Sequence, residues 1–161
     1  MKKISNQQKQ INMNNYLKFG IMMLTSFIIM YAVMFFNVDV FGHVMLSTMR
    51  TYMTILMIAP MAITMMLFMW GMYKNKKANY AILAVAAVVF VATFYMMRNQ
   101  TGISDVQYMK GMIPHHSSAI LTSQESNIQD PEVKKLAEEI IKAQKEEIAQ
   151  MRVLIDKLEQ Q

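Results

Sequence analysis

"TYMTILMIAPMAITMMLFMWGMY", residues 51–73, runs for 23 residues without a charged side chain. On a helix rising about 1.5 Å per residue, that length exceeds the roughly 30 Å of a bilayer's hydrocarbon core. In lipid such a run must satisfy its own backbone hydrogen bonds, which a helix does. The stretch predicts a membrane-spanning helix, and residues 17–36 and 80–97 read the same way. Lys18 lies at the edge of the first span, where its long stem can snorkel. A basic start also suits a cleaved leader. The apolar run is too long for one, however, and no small-x-small site follows it, so it reads as a span. Hydrophobic residues at 54% and a mean hydropathy of +0.21 agree with a membrane protein.

Charge divides the chain in two. Residues 1–102 hold nine Lys/Arg and one acid, Asp39, whereas residues 103–161 hold seven Lys/Arg and ten Asp/Glu. The net charge of +5 therefore belongs to the membrane part and reads as positive-inside anchoring, not as a nucleic-acid patch. Lys2, Lys3, Lys9 and Lys18 precede the first span, and "KNKKAN" at 74–79 joins the second and third. Both segments are expected in the cytoplasm. The loop "NVDVFGHVMLSTMR" and everything after Met97 then fall outside it. The predicted organisation is a membrane anchor over 1–102 and an extracytoplasmic module over 103–161, all α-helical.

Two residue types frame the chemistry. Cysteine is absent, which removes disulfides, thiolate ligands and cysteine nucleophiles together. Methionine occurs 20 times. In part that fits a nucleotide-biased genome, as do the abundant Ile, Asn and Lys. Met45, Met49, Met53, Met57, Met61, Met65 and Met69 recur at every fourth residue, with Met72 closing the series. Thioethers are soft donors suited to Cu(I), so an ion path suggests itself. Four residues turn about 400° at 3.6 residues per turn, however, so the row drifts about 40° per step and cannot line one straight pore. Pro60 is placed to kink the helix. Packing is the simpler role for these flexible side chains.

Beyond Ile103 the pattern becomes two amphipathic helices. Ser104 with Gln107 three residues on is a capping box. Asp130, Pro131 and Glu132 give an N-cap, a proline at the first helical position and an acid in the first turn. The second helix carries Val133, Leu136, Ala137, Ile140, Ile141, Ile148, Met151, Leu154, Ile155 and Leu158 on one stripe. The product is an αα-hairpin whose core is thin, so association with a second copy or another partner is expected.

Within it stands "MKGMIPHHSSAILTSQ", residues 109–124. At about 100° per residue, Met109, Met112 and His116 share a face with Ile120 and Ser123, while His115 turns about 100° away from its neighbour. On the second helix Met151, Gln144 and Glu147 fall within about 60° of one another, inside the apolar stripe. A carboxylate there needs a cationic or donating partner. A metal centre and a packed His–Glu pair both answer that requirement.

"DVQYMKGMIPHHSSAI", followed by "DPEVKKLAEEIIKAQKEEIAQMRVLIDKL", resembles the bacterial family called domain of unknown function 305. The shared pattern is Met-x-x-His-His, then Gln-x-x-Glu-Ile-x-x-Met on a second helix, over about residues 104–158. The resemblance implies a ferritin-like helical bundle, here as one hairpin, half of a four-helix bundle. It also implies a periplasmic location, with copper or silver as the ion handled; together with the spans and their basic flanks, the expected place is a bacterial cytoplasmic (inner) membrane with the module extracytoplasmic. Met109, Met112, His115, His116 and Met151 become candidate ligands, and Gln144 and Glu147 candidate supporting groups behind a histidine. His43, Met45 and Met49 of the first outer loop are further candidate contacts.

The leading expectation is a membrane-anchored protein that binds Cu(I) or Ag(I) for buffering, tolerance or delivery to a partner protein. Thioether and imidazole without thiolate suit a soft ion in an oxidising compartment. A transporter is disfavoured, because the spans carry no acid or histidine in their middle and the chain has no GxxxxGK[ST] motif. An enzyme is not expected either. A di-iron site needs Glu-x-x-His pairs, and Ser117 and Ser118 lack a Gly-x-Ser-x-Gly elbow. A purely structural, oligomerising membrane protein is the remaining alternative.

Overall fold

The computed structural model describes residues 2–160, with side chains from Asn15 onward. Five α-helices and no strand occur among the described residues: α1 Lys2–Val33, α2 Thr48–Phe68, α3 Lys76–Arg98, α4 Asp105–Glu125 and α5 Pro131–Glu159. A single 3-10 turn, Phe41–His43, interrupts the α1–α2 loop. Three segments are long and apolar enough to cross a membrane: Asn15–Val33, Thr48–Phe68 and Lys76–Arg98. The helix ends differ from the ends of the apolar runs. The first ends three residues before Phe36, where the chain turns, and the second stops at Phe68, the residues up to Met72 forming turns. Hydropathy alone cannot see such ends, because apolar residues continue through the turn. The side chains of Lys2, Lys3 and Lys9, on which the expected orientation partly rests, lie outside the described residues.

The chain separates into two compact units, residues 1–31 with 52–99, and residues 32–51 with 100–161. In the first, Phe19, Ala62, Met66, Tyr73 and Ala86 form the buried cluster. Outward-facing Leu24, Phe68, Val88 and Val91 are at least 62% exposed, an apolar surface of the kind that lipid solvates. The α2–α3 turn is held by polar groups. The Tyr16 hydroxyl lies 2.6 Å from Asn79 Oδ1, the fully buried Asn79 donates from Nδ2 to the Tyr73 carbonyl at 2.9 Å, and Asn75 caps α3 through Ala78 N–H. Lys76 Nζ stands 4.5 Å from the centre of the Trp70 ring, a cation–π contact at the basic end of the unit. Pro60 sits inside a continuous α2, and the Thr64 hydroxyl donates to its carbonyl at 2.9 Å. The methionine row winds about α2 as its spacing requires: Met61, Met65 and Met69 are half-buried, whereas Met53 and Met57 face outward at 44% and 40% exposure.

The second unit joins α4, α5 and the α1–α2 loop. Asn99 caps the end of α3, and two left-handed residues, Gln100 with φ 52 and Gly102 with φ 72, shape the turn before α4. Met109, Ile113 and Ile120 of α4 meet Ile148 and Ile155 of α5, with Met45 of the loop and Met151 packed against them. Each fully buried isoleucine contributes about 1.5–3 kcal/mol of transfer free energy. Lys110 pairs with Glu159 and His116 with Glu147, so the two helices run antiparallel.

Candidate functional site

α4 is fixed at its start by Ser104, whose hydroxyl accepts from the Gln107 N–H at 3.3 Å. The expected capping box is only half made. Gln107 Oε1 instead accepts from Thr48 N–H at 2.8 Å and from the Thr48 hydroxyl at 3.0 Å, satisfying a donor in the first turn of α2. The α5 cap matches its sequence: Asp130 accepts from Glu132 N–H at 2.9 Å and Val133 N–H at 3.0 Å, with Pro131 first in the helix.

One flank of α4 is covered by the loop. The Asp39 N–H donates to Ser117 Oγ at 2.8 Å, and His43 Nδ1 lies 2.8 Å from the same oxygen. Since the oxygen already accepts from Asp39, its hydroxyl proton is free to point at Nδ1, which fits a neutral ring protonated on Nε2. The acidity of His43 agrees. Burial first, and then the charge of Arg152, push its pKa below the ordinary value, while Asp39 partly opposes them. Asn37 Nδ2 donates to Ser118 Oγ at 2.7 Å, and Arg152 of α5 donates to the Gly42 carbonyl at 2.7 Å. Arg50 donates to the Met34 carbonyl and lies over the Phe35 ring, 4.3 Å from its centre. Ser47 and Met49 pass close to Gly111, where a Cβ would stand 3.5 Å from Ser47 Oγ and 3.8 Å from Met49 Cβ. The sequence reading missed this clasp. Ser117, Asn37, Arg152 and the Asp39 backbone are ordinary polar groups whose partners lie at least 74 residues away. The sole trace of it is a small polar pair, Ser117 and Ser118, on a helix flank that the stripe does not explain.

The candidate ligands are distributed as follows. Met109 is buried in the core cluster, and Met45 and Met151 pack against it half-buried. His116 is 8% exposed; Met112 and Met49 are half-buried. His115 faces solvent, its ring centre 6.1 Å from that of His116. Gln144 is half-buried. Glu147, expected inside the apolar stripe, is 52% exposed at the edge of the α4–α5 contact. The packing face of α5 runs through Ala137, Ile148 and Ile155, and Glu147 lies about 100° from Ile148 at 3.6 residues per turn. For the same reason Val133, Leu136 and Leu154, counted in the stripe, stand 50%, 55% and 47% exposed.

Both nitrogens of His116 are engaged. Nδ1 lies 3.0 Å from the Met112 carbonyl and Nε2 lies 2.6 Å from Glu147 Oε2. Both partners are oxygens that accept hydrogen bonds. A group that orients a metal-bound imidazole holds the nitrogen remote from the metal. Here the Met112 carbonyl fills that position for a ligand at Nε2, and Glu147 stands where the ion would bind. Among the described residues, no three His, Asp or Glu side chains converge on a common point. The donor set around the core is dominated by sulfur, which fits a soft ion better than a carboxylate-bound one.

Comparisons with known proteins agree with this part of the chain. A family model described as "Domain of unknown function (DUF305)" matches residues 96–161. An uncharacterized protein of Acanthamoeba polyphaga mimivirus is 34% identical over 117 residues, covering 71% of this chain and 75% of that protein. That likeness is longer than residues 96–161 can supply, so it reaches into the apolar helices. No solved structure matches the chain significantly.

Proposed function

Since the chain belongs to the DUF305 family, we propose that it is a membrane-anchored protein whose outer module binds a soft metal ion, Cu(I) or Ag(I). The bound ion would be buffered or passed to a partner protein. In this reading the three spans anchor the chain in a bacterial inner membrane with the N-terminus in the cytoplasm, and α4 and α5 form the hairpin of a ferritin-like bundle outside it. The observation that carries the reading is the gathering of three thioethers, Met109 of α4, Met151 of α5 and Met45 of the loop, in one cluster beside the helix pair that holds His116. A soft ion is stabilised by such polarizable sulfur, and the chain offers no competing thiolate.

Met109, Met151 and His116 would hold the ion, with Met45, Met112 and His115 as neighbours. Imidazole ligates only through an unprotonated nitrogen, so Glu147 must swing aside from Nε2. Its side chain is 52% exposed, so solvent can receive it once the contact opens. Glu147 acts as the group that occupies the ligand position when no ion does.

Melting the detergent-solubilised chain with and without Ag(I) tests this. A ligand at 100 times its Kd stabilises the folded state by about 2.7 kcal/mol. His116→Ala and Met109→Leu should abolish most of the gain, the latter with the fold kept because volume nearly is. Glu147→Gln, which removes the competing charge, should bind Ag(I) no more weakly than the parent. No gain in the parent at saturating Ag(I) rejects the metal reading. The packed His116–Glu147 contact supports a second, structural reading, in which Glu147→Gln destabilises the protein and Ag(I) changes nothing. Catalysis is not proposed. The His43–Ser117 contact has the spacing of a base and nucleophile, but Ser117 is fully buried and its oxygen already accepts from Asp39.

A further inference from the structure

α5 has a second stripe that the α4 contact leaves largely uncovered, with Glu147 and Met151 on the border between the two. Leu136, Leu154 and Leu158 are 55%, 47% and 38% exposed, although a soluble face had polar residues to offer. All three fall within about 20° of Glu147 on the helix, and Ile140, Ala143 and Met151 within about 40°. Their spacing is symmetric about Glu147. Leu136 and Leu158 lie eleven residues to either side of it, Ile140 and Leu154 seven, Ala143 and Met151 four. A regular heptad alternates its steps of four and three in one direction, whereas this stripe reverses its order at Glu147.

A two-fold interface requires that spacing, because each residue must meet the partner of its own mirror position. We infer that a second copy of this chain covers the stripe, with the two α5 helices antiparallel and Glu147 on the two-fold axis. Leucine then meets leucine or isoleucine at both ends, and alanine meets methionine near the centre. Charge agrees. Glu139 lies eight residues before Glu147 and Lys157 ten after, both on the outer flank, so each faces the other's opposite charge across the axis. The polar break in the stripe is Glu147 itself, and it is paired with His116. Two His116–Glu147 pairs therefore meet at the axis, and the site of one copy continues into the other. The assembly rests on spacing and exposure, whatever ion the site takes.

The chain has no cysteine, so single-cysteine variants of the full-length protein report contacts without background. In detergent with chelator and diamide, Glu147→Cys should link to itself. Glu138→Cys, on the opposite side of α5, should not. Leu136→Cys and Leu158→Cys should link only when the two variants are co-expressed, since in an antiparallel pair each stands about 33 Å from its own copy at about 1.5 Å per residue. Leu154→Glu should sediment as a monomer with unchanged helicity, since the side chain is already half in solvent. Equal linking at 138 and 147, self-linking at 136, or a parent that sediments as a monomer overturns the inference. A cross-linked protein with no Ag(I) response sinks the metal reading alone. An Ag(I) response without cross-linking sinks this assembly alone.

Discussion

His116 is the residue on which the chemistry turns, because its two nitrogens face two acceptors at 3.0 and 2.6 Å. The sequence allowed its facing to be read: a helical wheel puts His116 with Met109 and turns His115 away. The wheel could not give the reach of Glu147 from the edge of α5, since a long flexible side chain meets a partner well off its own backbone direction. His43 carries a second, separable prediction. Its pKa is lowered on folding, so the unfolded chain takes up the proton first as pH falls. The stability contributed by neutral His43 is therefore fully present above the unfolded value of about 6.5. It is lost as pH falls below that value towards the lower, folded one. In chelator, the urea midpoint of the parent should drop more between about pH 7.5 and about pH 5.5 than that of His43→Gln, the other titrations being common to both. Equal drops would mean that the Ser117 contact does not sense the ring's charge.

At the level of elements, capping chemistry was partly legible. Asp130 and Pro131 announce α5, and removing the cap with Asp130→Ala should cost about 1 kcal/mol, read as a lower denaturation midpoint. Ser104 announces α4, but Gln107 is drawn to Thr48, a partner that no local pattern encodes. The packing face of α5 was blurred because its apolar residues cover two adjoining stripes, one against α4 and one facing out. A pattern of hydrophobicity does not say which stripe meets which helix. Gly111 lies inside a continuous α4, beneath the loop. A Cβ there would make ordinary contacts at 3.5 and 3.8 Å. Gly111→Ala should accordingly stabilise the protein by about 0.5–1 kcal/mol through lower unfolded-state entropy. Destabilisation would show that the loop approaches α4 more closely than these distances.

For the whole molecule, three apolar helices were legible from composition and length, and the loop clasp was not. Long-range hydrogen bonds between a loop and a helix flank leave no period in the sequence. The clasp nevertheless bears on topology. The α1–α2 loop and the α4–α5 pair belong to one compact unit, so both must lie on the same face of any membrane the chain crosses. Three crossings give that arrangement, since the loop follows the first helix and the pair follows the third. Which face it is depends on charge alone. Lys74, Lys76 and Lys77 sit in or beside the α2–α3 turn, while Asp39 is the one acid in the α1–α2 loop. Under the positive-inside bias the turn is expected in the cytoplasm and the clasped unit outside. Alkaline phosphatase fused after Gln161 or inserted near Val40 should be active, and fused at Asn75 inactive, in a bacterial host. Replacing Lys74, Lys76 and Lys77 with Gln should blur the pattern at all three sites together, because the loop and the helix pair cannot part without unmaking the Ser117 contacts. Opposite behaviour of the Val40 and Gln161 fusions would break the clasp and the three-span topology at once.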